Sequence, residues 1–281
     1  MKIFSYLGPP GTFSAKAAKI FAHRIKLPDA QFRPYPSIPE AILAVLRKEV
    51  DFGVVPVENS LEGSVNVTLD MLAQNSEVVI FGEVVLTVKH HLLGKPGCEK
   101  LGVLVTHPQA FAQCYQYISK NIGSQVEVRF ASSTAEAARV VSTAPPGWVA
   151  IGGEEAAKEY GLEVLVSDIQ DNPLNKTRFL VLSREAAPPS GNDKTSLVFA
   201  LPEDRPGGLY HVLGVFAEAA VNLTKIESRP AKKELGDYIF FLDCLGHAAL
   251  PPLREVLEKL KQKTAMLKVL GSYPCAPGVD C

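Results

Sequence analysis

The stretch Val78–Leu93, VVIFGEVVLTVKHHLL, decides the fold. It is apolar almost throughout and has no room for a crossover helix, so it is read as carrying the chain from one α/β lobe to a second. Working outward, short apolar strands alternate with amphipathic helices on both sides. Upstream are KIFSYL, a GPPGTFS turn, AKAAKIFAHRI, and SIPEAILAVLRKEV, whose Ser37 and Glu40 form a capping box. The buried run DFGVVPVENS follows. Downstream, LGVLVT, VEVRF and WVAIG are interleaved with helices at HPQAFAQCYQYI, SSTAEAARVVS (a second box, Ser133 and Glu136) and GEEAAKEYG. Val/Ile/Leu strands joined by helices predict parallel sheet covered on both faces. TRFLVLS, after the irregular SDIQDNPLNK, is placed back in the first lobe. Two such lobes leave a cleft where strand C-termini and helix N-termini converge, the usual ligand site of open α/β sheets. Periodicity alone also permits one large sheet.

A boundary falls at Arg184–Lys194, REAAPPSGNDK, rich in Pro, Gly and charge. Beyond it TSLVFALP, RPGGLYHVLGVFAEAA, NLTKIESRP, DYIFFLDCLG, LPPLREVLEKLKQK and TAMLKVLGSYP read as β-α-β-β-α-β, the ferredoxin-like plan. Leu253, Val256, Leu257 and Leu260 form one stripe on the second helix. The open edges and free face of such a sheet invite a second copy. The tail CAPGVDC reads as unstructured.

The 281 residues suggest about two domains at ~150 residues each. With 29 Lys+Arg against 30 Asp+Glu, net charge −1 and no long like-charge run, nucleic acid is not expected as a partner. No apolar run approaches the ~18 residues of a membrane span, and MKIFSYLGPPGTFS lacks signal-peptide order. Five scattered Cys without CxxC spacing indicate neither a disulfide framework nor a zinc site. The expectation is a cytoplasmic, reduced protein with a small partner.

Candidate chemistry sits at strand ends. In GPPGTFS, Gly8 and Gly11 permit a tight turn, and Thr12, Ser14 and the helix-start N–H groups can hold an anion or simply cap the helix. VPVENSLEGSV ends a buried strand in Glu58, Asn59 and Ser60, readable as cleft edge or as an Asx turn. Thr106-His107-Pro108-Gln109 opens a helix, where His107 is an acid/base candidate or an ordinary surface residue. Ser133 reads foremost as a cap. In Asn175-Lys176-Thr177-Arg178-Phe179, Arg178 either clamps a carboxylate or forms a salt bridge, and Thr177 offers a hydroxyl. His90 and His91 alternate along a strand, face opposite ways and cannot chelate together.

Taken together, YLGPPGTFS, VPVENSLEGSV, THPQA, NKTRFLVL, GGLYHVLGVFA and IESRP, in this order from Lys2 to about Pro274, resemble the single-function prephenate dehydratases. The resemblance implies an α/β fold: a bilobal, periplasmic-binding-protein-like catalytic domain at 1–184 (lobe 1 about 1–77 and 163–184, lobe 2 about 78–162). A linker at 185–194, a ferredoxin-like ACT domain at 195–274 and a tail at 275–281 follow. It implies conversion of prephenate to phenylpyruvate in phenylalanine biosynthesis, without cofactor or metal. Thr177 is then the donor to the leaving hydroxyl. Thr12, Ser14, Glu58, Asn59, Ser60, Gln109 and Arg178 are substrate-binding, with the proton coming through water, His107 or Glu58. Gly207, Gly208, Leu209, Tyr210, Glu227, Ser228, Arg229 and Pro230 form the phenylalanine site, with Gly208 departing from the family's usual GALY. A homodimer or homotetramer is expected, with no nucleic acid or membrane. Since the first strand starts at Lys2, no chorismate mutase domain is expected ahead of it. Arogenate as substrate, or a non-catalytic small-anion sensor, are the alternatives.

Overall fold

The computed structural model describes residues 1–98, 100–123, 125–231 and 238–277. The first part of the chain runs β1 (Ile3–Leu7), α1 (Phe13–Arg24), β2 (Gln31–Tyr35), α2 (Ile38–Leu46), β3 (Phe52–Asn59), β4 (Gly63–Ser64), α3 (Asn66–Gln74) and β5 (Val79–Thr87). Then come β6 (His91–Gly94), β7 (Val103–Thr106), α4 (Pro108–Gln113), α5 (Tyr115–Asn121), β8 (Glu127–Phe130), α6 (Thr134–Thr143), β9 (Trp148–Gly152), α7 (Glu154–Tyr160) and β10 (Glu163–Val166). After β11 (Lys176–Ser183), the chain continues through β12 (Asp193–Ala200), α8 (Gly208–Glu218), β13 (Leu223–Pro230), β14 (Tyr238–Leu245), α9 (Leu253–Lys261) and β15 (Met266–Pro274).

One sheet has the order β2-β1-β3-β11-β5, with β4 on β3, and a second has β10-β6-β9-β7-β8. The apolar stretch that opened the sequence reading is thus split: β5 belongs to the first sheet and β6 to the second, joined by Val88–His90. β11 returns to the first sheet. Strand β10 pairs with β6, so the return comes at Lys176 and not at 163. The sheets are mixed as well: β6 runs antiparallel to β9 and β10 while β7, β8 and β9 are mutually parallel. A strand entering straight from the other sheet lacks the helical crossover that parallel neighbours need.

The outgoing and returning crossings lie side by side. Val88 donates its N–H to Asn175 O (2.8 Å) and Ile169 donates to His90 O (2.9 Å). The Asp168 N–H donates to His91 Nδ1 at 3.0 Å. Both predicted capping boxes form, Glu40 N–H to Ser37 Oγ at 3.3 Å and Glu136 N–H to Ser133 Oγ at 3.0 Å.

The chain divides into two compact units, Met1–Ala41 with Val54–Val65 and Val85–Phe179, and Ile42–Gly53 with Asn66–Val84 and Leu180–Cys281. In the second, β13-β14-β12-β15 is an antiparallel sheet. Its core, Leu197, Phe199, Val212, Phe216 and Leu242, closes on the α9 stripe of Leu253, Val256, Leu257 and Leu260. Part of the sheet face expected to be free is covered. Lys268 Nζ, on β15, donates to Leu72 O, Ala73 O and Asn75 O at the C-terminus of α3 (2.6, 3.2 and 2.6 Å), a favourable place for a cation. Arg229 binds Asp70 at 3.0 Å, and also Asn66. At Gly271 a Cβ would collide with the backbone of Ile80 on β5. The Lys194–Glu83 ion pair, 3.0 Å long with side chains 6% and 0% exposed, is sealed beside this seam.

The first tail residues are ordered too. Ala276 is buried and donates its N–H to Glu83 Oε1 at 3.0 Å. Cys275 is disulfide-bonded, whereas Cys98, Cys114 and Cys244 are free, so the scattered cysteines include a bridge that their spacing did not indicate. The remaining tail, 278–281, lies outside the described residues. Glu83→Leu leaves Lys194 buried and uncompensated; urea denaturation is expected to show a loss of about 3–5 kcal/mol, most of it recovered in Glu83→Leu/Lys194→Met.

Candidate active site

Within the first unit a cavity of about 250 Å³ opens beside the crossings, just below the usual range of ligand clefts (about 300–1,000 Å³). Three helix starts reach it. The α1 cap and first turn contribute Thr12, Phe13 and Ser14; the α4 cap and helix contribute His107, Gln109, Ala110 and Gln113; the approach to α6, its cap and first residue contribute Ser132, Ser133 and Thr134. The walls are completed by Asn59 from β3, Val88 and His90 from the outgoing crossing, and Asn175, Thr177 and Phe179 at the return.

The GPPGTFS turn is held rigidly. Gly11 has φ +80°, and a Cβ there would meet Ala156 Cα on α7 at 3.0 Å. Tyr160 donates its hydroxyl to Pro10 O at 3.0 Å. Thr12 caps α1, its Oγ accepting from Ala15 N–H (3.3 Å) while its hydroxyl donates to Leu7 O (3.0 Å). The Thr12 hydroxyl proton is therefore spent within the turn, and the N–H groups of Phe13 and Ser14 remain for a ligand. Ser133 Oγ caps α6 in the same way, leaving the next N–H groups of that turn.

Asn59 sets the polarity of the opposite wall. Its Oδ1 accepts from the backbone N–H groups of Leu61 (3.0 Å) and Glu62 (3.1 Å). Nδ2 must then be the donor, to Lys176 O (3.2 Å), Asn175 Oδ1 (2.8 Å) and Thr177 Oγ (2.9 Å). Because Thr177 Oγ accepts here, its own hydrogen is left to donate into the cavity. Asn175, 1% exposed, turns its Nδ2 to Gln113 Oε1 at 3.0 Å, and the same Oε1 faces His90 Nε2 at 3.0 Å. Gln113 Nε2 reaches Glu62 Oε1 at 3.5 Å.

Of the residues singled out in the sequence, Thr12, Ser14, Asn59, Gln109 and Thr177 share this lining, with His107. Glu58, Ser60 and Arg178 do not line it. Arg178 meets Glu58 at 3.5 Å, the salt bridge that strand alternation allowed. Ser60 is exposed, its Oγ accepting from Lys176 N–H at 2.9 Å. These three brace β3 to the return segment. His90, Gln113 and Asn175 were missed. Gln113 stands one turn after Gln109, on the same helix face, and Asn175 stands two residues before Thr177, on the same strand face. Either spacing would have found them. His107 Nδ1 accepts from Gln109 N–H at 3.3 Å as the α4 cap, and burial holds its imidazole below the ordinary value.

Among the described residues, no Lys or Arg lines the cavity, so what the lining offers a negative ligand is neutral N–H and O–H donors and the positive ends of helices α1 and α6. Among the described residues, no group of three or more His, Cys, Asp or Glu is placed to hold a metal. Burial pushes the Cys114 thiol up to about 12, which removes it as a nucleophile at neutral pH.

A second cavity, about 460 Å³, lies in the second unit between α3 (Asp70, Ala73, Gln74) and the sheet edge at Ala200–Asp204, Pro230, Tyr238 and Met266. Of the eight residues expected to hold an effector, Pro230 alone lines it. Strand register nevertheless brings both motifs to one end of the sheet, since Ala200 and Arg229 both pair with Ile239. Gly207 caps α8 with φ +82°, Leu209 packs on the domain core, and Tyr210 is exposed. Glu227 lies between Lys225 (3.5 Å) and Arg229 (3.9 Å), while Ser228 points to solvent.

Comparison with known proteins is specific. The family model described as prephenate dehydratase matches residues 4–187, and that of the ACT domain matches 195–262. A prephenate dehydratase of Methanocaldococcus jannaschii is 40% identical over 280 residues, covering 97% of this chain and 98% of that protein. A solved prephenate dehydratase from Arthrobacter aurescens, in complex with L-Phe, superposes with TM-score 0.86 at 36% identity, covering 97% and 89% of the two chains. A structure titled as a novel type of quorum-quenching acylase, GqqA, also superposes with TM-score 0.86, at 32% identity over 98% and 99%.

Asn175→Asp tests the assigned polarity. An ionised carboxylate cannot donate to Gln113 Oε1, so the folded-state pKa of the new acid should rise. Stability is then retained at low pH and lost as pH climbs through the carboxylate range. Asn175→Leu should lose about 1–3 kcal/mol with no such pH dependence, both read by urea denaturation at pH 4.5 and pH 8.

Proposed function

The chain belongs to the prephenate dehydratase family, and from that premise we propose how its cavity turns prephenate into phenylpyruvate. Prephenate carries two carboxylates, a ring hydroxyl and a keto group. Losing carbon dioxide and the hydroxyl makes the ring aromatic, so the reaction is downhill and the barrier lies in expelling a poor leaving group. The carboxylates are received at the first turns of α1 and α6, by main-chain N–H groups with Ser14 beside them. Thr12 shapes the turn. Gln109 and Asn59 position the substrate.

Thr177 is the donor to the departing oxygen. The observation that carries this role is the 2.9 Å bond in which Asn59 Nδ2 donates to Thr177 Oγ. It leaves the hydroxyl hydrogen directed away from the protein network, into the cavity that Thr177 lines. Such a donor, aimed at charge that develops only in the transition state, is worth about 3–4 kcal/mol. Thr177→Ala should lower kcat by about 10²–10³-fold with little change in KM, and Thr177→Ser should keep most of the rate, both followed by the ultraviolet absorbance of phenylpyruvate. Full kcat in the alanine variant would remove Thr177 from this role. Kinetics on arogenate beside prephenate separate the two substrates, which differ by one amino group against one keto oxygen.

The acylase activity named for GqqA belongs to that protein. No hydrogen bond joins Ser14, Ser132 or Ser133 to His90 or His107 among the described residues, so nothing in this lining favours an activated serine here.

The ACT domain takes phenylalanine as its effector in this reading, supported by the family match and by the L-Phe complex of the Arthrobacter aurescens relative. L-Phe at a hundred times its dissociation constant should stabilise the chain by about 2.7 kcal/mol, visible as a raised Tm. A homodimer or homotetramer in the cytoplasm completes the proposal; no helix of the described residues is long and apolar enough to cross a membrane. Light scattering with and without L-Phe reads the oligomeric state.

A further inference from the structure

His90 is 4% exposed, lines the cavity, and carries a buried Nδ1 with no hydrogen-bond partner among the described residues. Its backbone is fixed on both sides, the N–H donating to Gln170 Oε1 (2.9 Å) and the carbonyl accepting from Ile169. Phe13 of α1 meets the ring edge-on at 6.2 Å between centroids. The tautomer follows from the wall opposite. Two backbone N–H groups fix the Asn59 amide; Asn59 fixes Asn175; Asn175 fixes Gln113, whose Oε1 already accepts from Asn175. His90 Nε2 must therefore bring its hydrogen to that oxygen, and in the neutral ring Nδ1 is a bare acceptor. A buried acceptor without a donor costs stability, and this one borders the place where the reaction occurs.

We propose that His90 is the proton carrier of the dehydration: its Nδ1 takes up a proton as the dianion enters the cavity and gives it to the oxygen that leaves. This rests on the prephenate reading above. The balance requires such a group. Prephenate dianion and one proton yield phenylpyruvate anion, carbon dioxide and water. The bond from ring carbon to carboxylate breaks and its electron pair enters the ring. The C–O bond breaks with its pair on oxygen, the Nδ1–H proton forms the new O–H bond, and the imidazole is neutral again.

The surroundings suit a ring that is neutral when the site is empty and charged when it is full. Burial, the largest influence, holds the imidazole below its ordinary value, while Gln113 Oε1 favours the charged form. Neighbouring His91 opposes charging weakly, its own Nδ1 being held by Asp168 N–H. The acids near this wall are engaged elsewhere, Glu62 with Gln113 Nε2 and Asp171 with Gln116 N–H. From α4, His107 faces the same cavity, but its Nδ1 lone pair is committed to the Gln109 cap. Glu58 is salt-bridged outside the lining.

The test is the pH dependence of the full-length chain. If proton and substrate enter together, wild-type kcat/KM should fall tenfold per pH unit from pH 7 to 9, while kcat holds to higher pH. In His90→Gln, kcat/KM at pH 7 should drop about 10²-fold or more and lose this slope, with Tm reporting that the variant is folded. Gln113→Glu keeps the histidine and sets a carboxylate against Nε2, so its kcat/KM limb should move to higher pH. A flat wild-type profile, a His90→Gln enzyme within threefold of wild type with the slope intact, or an unmoved limb in Gln113→Glu would overturn the assignment. Absence of phenylpyruvate from the wild type at every pH would instead sink the prephenate reading itself.

Discussion

The amide of Asn59 is the fixed point of the candidate active site. Two main-chain N–H groups of its own turn hold its oxygen, so its nitrogen can only donate, and every orientation downstream follows. The Thr177 hydroxyl becomes a donor toward the cavity, Asn175 and Gln113 line up head to tail, and the His90 ring is protonated on Nε2. A network with one polarity is preorganised: in the proposed reaction its dipoles need no rearrangement when charge appears on the departing oxygen. The same backbone that ends a buried strand thereby sets the direction of this hydrogen-bond network.

In the proposed reaction, charge is handled without permanent cations from the described residues of the lining. Helix starts supply partial positive charge along their axes, and this is better matched to the reaction than a guanidinium clamp on the ring carboxylate. That carboxylate must shed its charge as carbon dioxide departs, and a strong ground-state grip would raise the barrier. The salt bridge that keeps Arg178 with Glu58 is consistent with this requirement.

Much of this was legible in the residues. Alternating apolar strands and capped helices gave the α/β reading, and the largely apolar run at Val78–Leu93 marked the passage between sheets. The β-α-β-β-α-β order of the C-terminal part and the α9 stripe were equally plain, because 2.0 and 3.6 periodicities survive any tertiary context. Strand direction in the second sheet was not, since pairing is a long-range property. Arg178 was ambiguous for the reason strand residues always are: one position along a strand changes the face. Gln113 and Asn175 were overlooked although ordinary spacing rules pointed at them. His90 was weighed only against its neighbour as a chelator, and a bare buried nitrogen is visible only once its surroundings are known. The docked residues after Pro274 owe their order to Glu83, far away in sequence.

At Gly271 two backbones touch with no side chain between them, and this has a mechanical consequence. No side chain fits between the two strands there, since a Cβ on Gly271 would run into Ile80 O and N, and the buried Lys194–Glu83 pair ties neighbouring β12 to β5 as well. The start of β5 is thereby held to the sheet that bears β15. An extended strand is nearly inextensible, at about 3.3 Å per residue. Its far end at Thr87 stands three positions before His90.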